Sequence, residues 1–115
     1  MTVVRLAETG DGISVDAAGH AGFAETGRDV VCAAITMLLF GSLSYLLERE
    51  RDGGGRIRVT SEVQAGALRF CTSGFTDGAD RVVLGVIRAG LGDLAACYPK
   101  HVRVETVRNP EIHIH

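Results

Sequence analysis

"DVVCAAITMLLFGSLSYLLERER", residues 29–51, decides the architecture. In its first four turns apolar residues fall on nearly every side of a helical projection, which is more than one core-facing stripe requires. Val30 to Leu47 come close to the length of a membrane span, but Thr36, Gly41, Ser42 and Ser44 interrupt them and both flanks alternate as globular segments do. The segment therefore reads as a buried helix, not a bilayer-crossing one. Such a helix needs cover on two sides: its own sheet on one, and a partner subunit as the economical candidate for the other. Asp29 suits its first turn, Arg49 and Arg51 suit its negative end, and "RDGGG" stops it.

On the N-terminal side, residues 2–7 and 12–18 favour strands, and Gly10, Asp11 and Gly12 between them supply the positive-φ positions of a tight hairpin. On the other side, "RIRVTSEV" (56–63) and "ALRFCTS" (67–73) alternate with period two around the turn "QAG". From Asp77 to Tyr98, Val83, Leu84, Ile87, Leu91, Leu94, Ala95 and Tyr98 keep helical spacing, with Asp80, Arg81, Arg88 and Asp93 on the opposite, wet side. Pro99 ends this helix, "HVRVETV" (101–107) offers a last strand, and "RNPEIHIH" is a loose end. The order ββαββαβ predicts an α+β two-layer sandwich: a mostly antiparallel sheet with two helices, in a single domain over residues 1–108 with a tail at 109–115.

A chain of 115 residues with a formal net charge of -2 holds one core and, at most, one site. Arginines scattered among carboxylates, four Phe, two Tyr and no Trp give neither a basic stripe nor a stacking platform, which argues against direct nucleic-acid binding. Arg5 and Glu8 interrupt any signal-peptide core. Cys32, Cys71 and Cys97 are too widely spaced for a zinc or redox pair, so free thiols in a reducing cytoplasm fit best, with no cofactor and no membrane attachment.

Function concentrates in "GHAGFAETGRDVVCAA", residues 19–34. Cys32 falls near the start of the long helix, where unpaired N–H groups and the positive end of the dipole favour a thiolate. If the loop from Ala21 to Arg28 folds back, as Gly22 and Gly27 permit, His20 reaches Cys32 and serves as base and then proton donor, the minimum equipment for acyl transfer. Asp29 either orients His20, opposes the thiolate, or simply suits a helix start. Arg28 is a solvated loop charge or a contact to a substrate carbonyl. Thr36, one turn after Cys32, brings a hydroxyl beside the sulfur or bonds the carbonyl four residues earlier. The plainer reading makes Cys32 a small apolar core residue and His20 a strand-end residue bonded to backbone. Cys71 reads as a half-buried strand residue and Cys97 as packed near the end of the second helix.

"GHA", then "GRDVVCAA", continuing through "LLFGSL", resembles the ribosomal-processing cysteine protease (Prp) family. The resemblance covers essentially the whole chain, with its specific motifs at residues 19–34. It implies a small α/β sandwich that forms a homodimer, with His20 and Cys32 as the catalytic dyad and Asp29 in a supporting position. It further implies removal of a short N-terminal extension from a bacterial large-subunit ribosomal protein, with cleavage after an aromatic residue. The loop Ala21–Arg28 then resembles a flap over the peptide groove, with Gly22, Gly27 and Arg28 as substrate-loop residues. Thr36 stands where the family usually has serine, keeping the hydroxyl and adding a methyl.

Two other classes of function compete. A non-catalytic dimeric module would bind a ribosomal protein or assembly factor beside the long helix. A thiol sensor would need Cys71 or Cys97 to approach Cys32. A metal site from His101, His113 and His115 is a further, weaker reading, since histidines of a loose tail are usually incidental.

Overall fold

The computed structural model of the protein describes residues 1–25 and 28–108. Gly27 and the tail histidines His113 and His115 lie outside the described residues. Seven elements follow in the order β1 (Thr2–Glu8), β2 (Ile13–Ala18), α1 (Val30–Asp52), β3 (Arg58–Gln64), β4 (Ala67–Ser73), α2 (Ala79–Cys97) and β5 (Val102–Arg108). They form one five-stranded sheet, β3-β4-β2-β1-β5, packed against two helices, the expected two-layer α+β sandwich. Three strand pairs are antiparallel, and only β1 and β5 run parallel. Parallel neighbours need a crossover, and α2 supplies it by carrying the chain from β4 across the sheet to the far edge.

Strand alternation separates two faces. Val4, Ala17 and Leu68 stand side by side in one row, and Leu6, Val15 and Phe70 in the next, all buried beneath the helices. The outer face carries the intervening residues: Glu105, Arg5, Asp16, Arg69 and Glu62 are successive partners across all five strands, alternating in sign. Arg5 meets Glu105 at 2.9 Å, and Arg69 lies 4.0 Å from Asp16 and 3.7 Å from Glu62. Opposite charges side by side suit a sheet face turned to water.

Helix α1 is covered on one of the two sides expected of it. Val31, Ile35, Leu39, Leu43 and Leu46 enter the core, while Val30 (60% exposed), Met37 (74%), Phe40 and Tyr45 face outward. By length and composition alone it is apolar enough to cross a membrane, with a mean hydropathy of 2.1. Its buried stripe nevertheless forms one wall of the domain core. Asp29 is the N-cap of this helix, one position ahead of the first turn.

Three further expectations change. The hairpin turn has no positive-φ residue; Thr9 N–H donates to the Gly12 carbonyl and Gly12 N–H to Thr9 Oγ1, both at 2.8 Å. Gly12 is required because a side chain there would collide with the Thr72 carbonyl. Asp80 is fully buried instead of wet: the Thr72 hydroxyl donates to its Oδ2 at 2.7 Å and Arg81 N–H to its Oδ1 at 2.9 Å, while Ile13 N–H donates to Thr72 Oγ1. With those donors in place a carboxylate tolerates the interior. Cys97 is exposed, being off the α2 stripe of Leu84, Ile87 and Leu91, whereas Cys71 is half-buried beside Ser14.

Candidate active site

At the pole where β2 ends and β1 and β5 begin, the chain must leave the sheet and enter α1. Gly19, with φ of 92°, makes the exit, and its N–H donates to the Gly66 carbonyl in the β3–β4 turn. Gly22, with φ of 70°, bends the segment again. Such backbone suits glycine because a β-carbon is strained there. The two bends bring Ala21 alongside the first turn of α1.

Asp29 organises that turn. Its Oδ1 accepts from the N–H groups of Val31 and Cys32, both at 3.0 Å, and its Oδ2 accepts from Phe23 (2.9 Å) and Ala24 (3.3 Å). One carboxylate thus caps the helix and pins the preceding loop. The N–H groups of Cys32, Ala24 and Phe23, that of Cys32 foremost, hold its carboxyl below the ordinary 3.8 against the opposing effect of burial. The four hydrogen bonds that Asp29 accepts among the described residues come from backbone N–H groups, which is the position of a cap. Arg28 is exposed, with its N–H on the Glu25 carbonyl.

Cys32 is the third residue of α1 and half-buried, and its Sγ accepts from Ala21 N–H at 3.2 Å. The His20 imidazole lies over the β3–β4 turn, where a β-carbon on Gly66 would come within 3.2 Å of Nε2. His20, Cys32 and Thr36 share two adjoining grooves. The first, of about 190 Å³, is bounded by Ile35, Leu39 and Phe40 of α1 and by Gly66, Ala67 and Leu68. The second opens between Gly22, Ala24 and Glu25 of the loop and Ala33 and Met37 of α1. The three residues stand where the grooves meet. A peptide laid across that junction has room on both sides of Cys32.

Of the residues singled out in the sequence, His20, Cys32 and Thr36 come together, Gly22 bends the loop beside them, Asp29 supports from behind, and Arg28 lies outside both grooves. Gly66, Ala21 and His101 are participants that local sequence does not announce. His101 Nδ1 lies 2.9 Å from the Ala21 carbonyl oxygen. Phe23 packs edge-on against Tyr98 at 5.2 Å and His101 at 5.5 Å, so residues 21–24 are anchored on the turn between α2 and β5. "QAG" marks Gly66 only as a turn residue, and Pro99 marks only the end of α2.

The cysteine protease Prp family matches residues 1–103. A Mycoplasma genitalium ribosomal processing cysteine protease Prp is 34% identical over 86 residues, 75% of this chain and 80% of that protein. Its Bacillus subtilis counterpart is 43% identical over 51 residues, 36% of this chain and 46% of that one. The fold also resembles that of the S. aureus ribosomal processing protease Prp crystallised with a covalently linked product peptide: TM-score 0.77, 21% identity, 93% of this chain and all of that one. A second crystal structure of that protease, with a substrate peptide, gives a TM-score of 0.69 at 22% identity. An enzyme family of this kind sets aside the non-catalytic reading. A match over nearly the whole chain, in agreement with both curated relatives, places this protein in the Prp family of cysteine proteases.

Proposed function

We propose that the protein is the endopeptidase that trims a short N-terminal extension from a bacterial large-subunit ribosomal protein, with Cys32 as nucleophile and His20 as its base. The observation that carries this reading is the meeting of two grooves at His20, Cys32 and Thr36, with Ala21 N–H on the sulfur. His20 takes the thiol proton, and the Cys32 sulfur bonds to the scissile carbonyl carbon. His20 then protonates the departing amine as the C–N bond breaks. Water hydrolyses the thioester, releasing the acid and restoring the thiol. The apolar groove walls of Ile35, Leu39 and Leu68 suit an aromatic side chain next to the cleaved bond. Asp29 supports by holding the first turn of α1, and Thr36 offers its hydroxyl at the junction. Arg28, together with Gly27, belongs to the loop that borders the substrate. The exposed apolar side of α1 is the surface for a second copy, making the working unit a homodimer. We assign a single cysteine-protease-like domain to residues 1–108 with a tail at 109–115, and a cytoplasmic setting to its free thiols.

The test is incubation with a recombinant large-subunit ribosomal protein carrying an N-terminal extension, read by mass spectrometry. Cleavage after an aromatic residue is expected, absent in Cys32→Ser and slowed about 10²–10⁴-fold in His20→Ala. Undiminished cleavage by Cys32→Ser would remove the nucleophile assignment.

A further inference from the structure

Ala21 is held from two sides by groups distant in the chain. Its N–H donates to Cys32 Sγ at 3.2 Å, and its carbonyl oxygen lies 2.9 Å from His101 Nδ1. A carbonyl oxygen only accepts, so Nδ1 carries the proton in either charge state of the ring. His101 is itself firmly placed: its N–H donates to the Tyr98 carbonyl and its carbonyl accepts from Thr2 N–H, both at 2.9 Å. The imidazole also backs the Phe23 ring, nearly perpendicular at 87°. Ala21 is 1% exposed. Ala21 belongs to neither β2 nor α1, so no regular element fixes the direction of its N–H.

We infer that His101 is a positioning residue for the nucleophile: by holding the Ala21 carbonyl it aims the Ala21 N–H at the Cys32 sulfur and favours the thiolate. The inference rests on the proposed role of Cys32. A hydrogen bond to a charged acceptor is roughly twice as strong as one to a neutral acceptor, so a fixed N–H discriminates thiolate from thiol. A donor free to turn toward water loses that discrimination. Among the described residues, the other ionisable groups lining the groove with Cys32 are His20, Glu25 and Asp29, and a substitution at His101 alters none of them directly.

The test compares the full chain with His101→Ala and His101→Asn. Two quantities are measured: the pH midpoint of Cys32 alkylation by iodoacetamide, and kcat and KM on a cleavable peptide. His101→Ala is expected to raise the midpoint by about half a unit or more and to lower kcat about 3–10-fold, with KM within about twofold. The Asn amide also donates, so His101→Asn is expected to restore the parent midpoint. Should His101→Ala fail to fold, His101→Phe takes its place, keeping a ring against Phe23 without the donor. A midpoint unmoved in the folded donor-less variant, or moved equally in His101→Asn, overturns the inference. Cleavage that survives Cys32→Ala would instead overturn the nucleophile reading.

Discussion

Gly66 shows how a residue with no side chain shapes the chemistry. Its φ of 75° and the 3.2 Å between its missing β-carbon and His20 Nε2 leave the imidazole resting on bare backbone. Gly66→Ala is expected to strain the turn by roughly 1–2 kcal/mol and to displace the ring. The measurable outcome is a kcat/KM about tenfold lower in a folded protein, while the same substitution at Gly54, another positive-φ turn glycine with open space around it, leaves kcat/KM unchanged. Asp29 acts through backbone. Asp29→Ala is expected to lower Tm by about 5 °C and to loosen residues 23–24. The folded protein holds this carboxyl below 3.8, so its contribution is complete above that pH and is lost as the pH falls through the folded value. Thermal melts should therefore separate parent from Asp29→Asn at neutral pH and converge in strong acid. At this scale the motif made His20 and Cys32 legible. Gly66 and His101 were not, because a contact such as that of His101 with Ala21, 80 positions apart, exists only after the sheet has assembled.

At the scale of elements, α1 has two apolar sides, and among the described residues only one is used. Val30, Met37, Phe40 and Tyr45 remain outside, and Met37 and Phe40 also border the grooves. If a second copy covers this side, sedimentation should show a dimer for the parent and a monomer for Met37→Asp, with the fold retained by circular dichroism. A parent that stays monomeric at high concentration removes the homodimer proposal. The run of apolar residues in α1 was plain in the sequence, and so were both hairpins, because periodicity is a local property. The inward turn of Asp80 was not. Its acidity places it on a wet face by composition, and only the Thr72 hydroxyl, brought over by β4, makes the interior acceptable. The alternating charges of the outer sheet face were visible singly along each strand, but their alignment across strands depends on register.

For the molecule as a whole, the element order ββαββαβ and the two-layer packing were readable from the sequence, whereas the strand order was not. Nothing in the last strand's composition says that it joins the first in parallel. That pairing follows from α2 crossing the sheet, a long-range outcome of packing. It also means that β1 and β5 start at the same pole and finish at the other. Thr2 lines the first groove, and a side chain on Gly19 would collide with the Met1 carbonyl, so the start of the chain sits at the mouth of the site. The end of β5 leaves from the opposite pole. A protein domain fused ahead of Thr2 would therefore stand in the path of incoming peptide, while the same domain joined directly after Arg108 would depart from the opposite pole. The N-terminal fusion is expected to raise KM several-fold and the C-terminal fusion to leave it unchanged, as steady-state kinetics on one peptide would show. For anyone building a reporter or an affinity handle onto this enzyme, the parallel edge strand has already chosen the end.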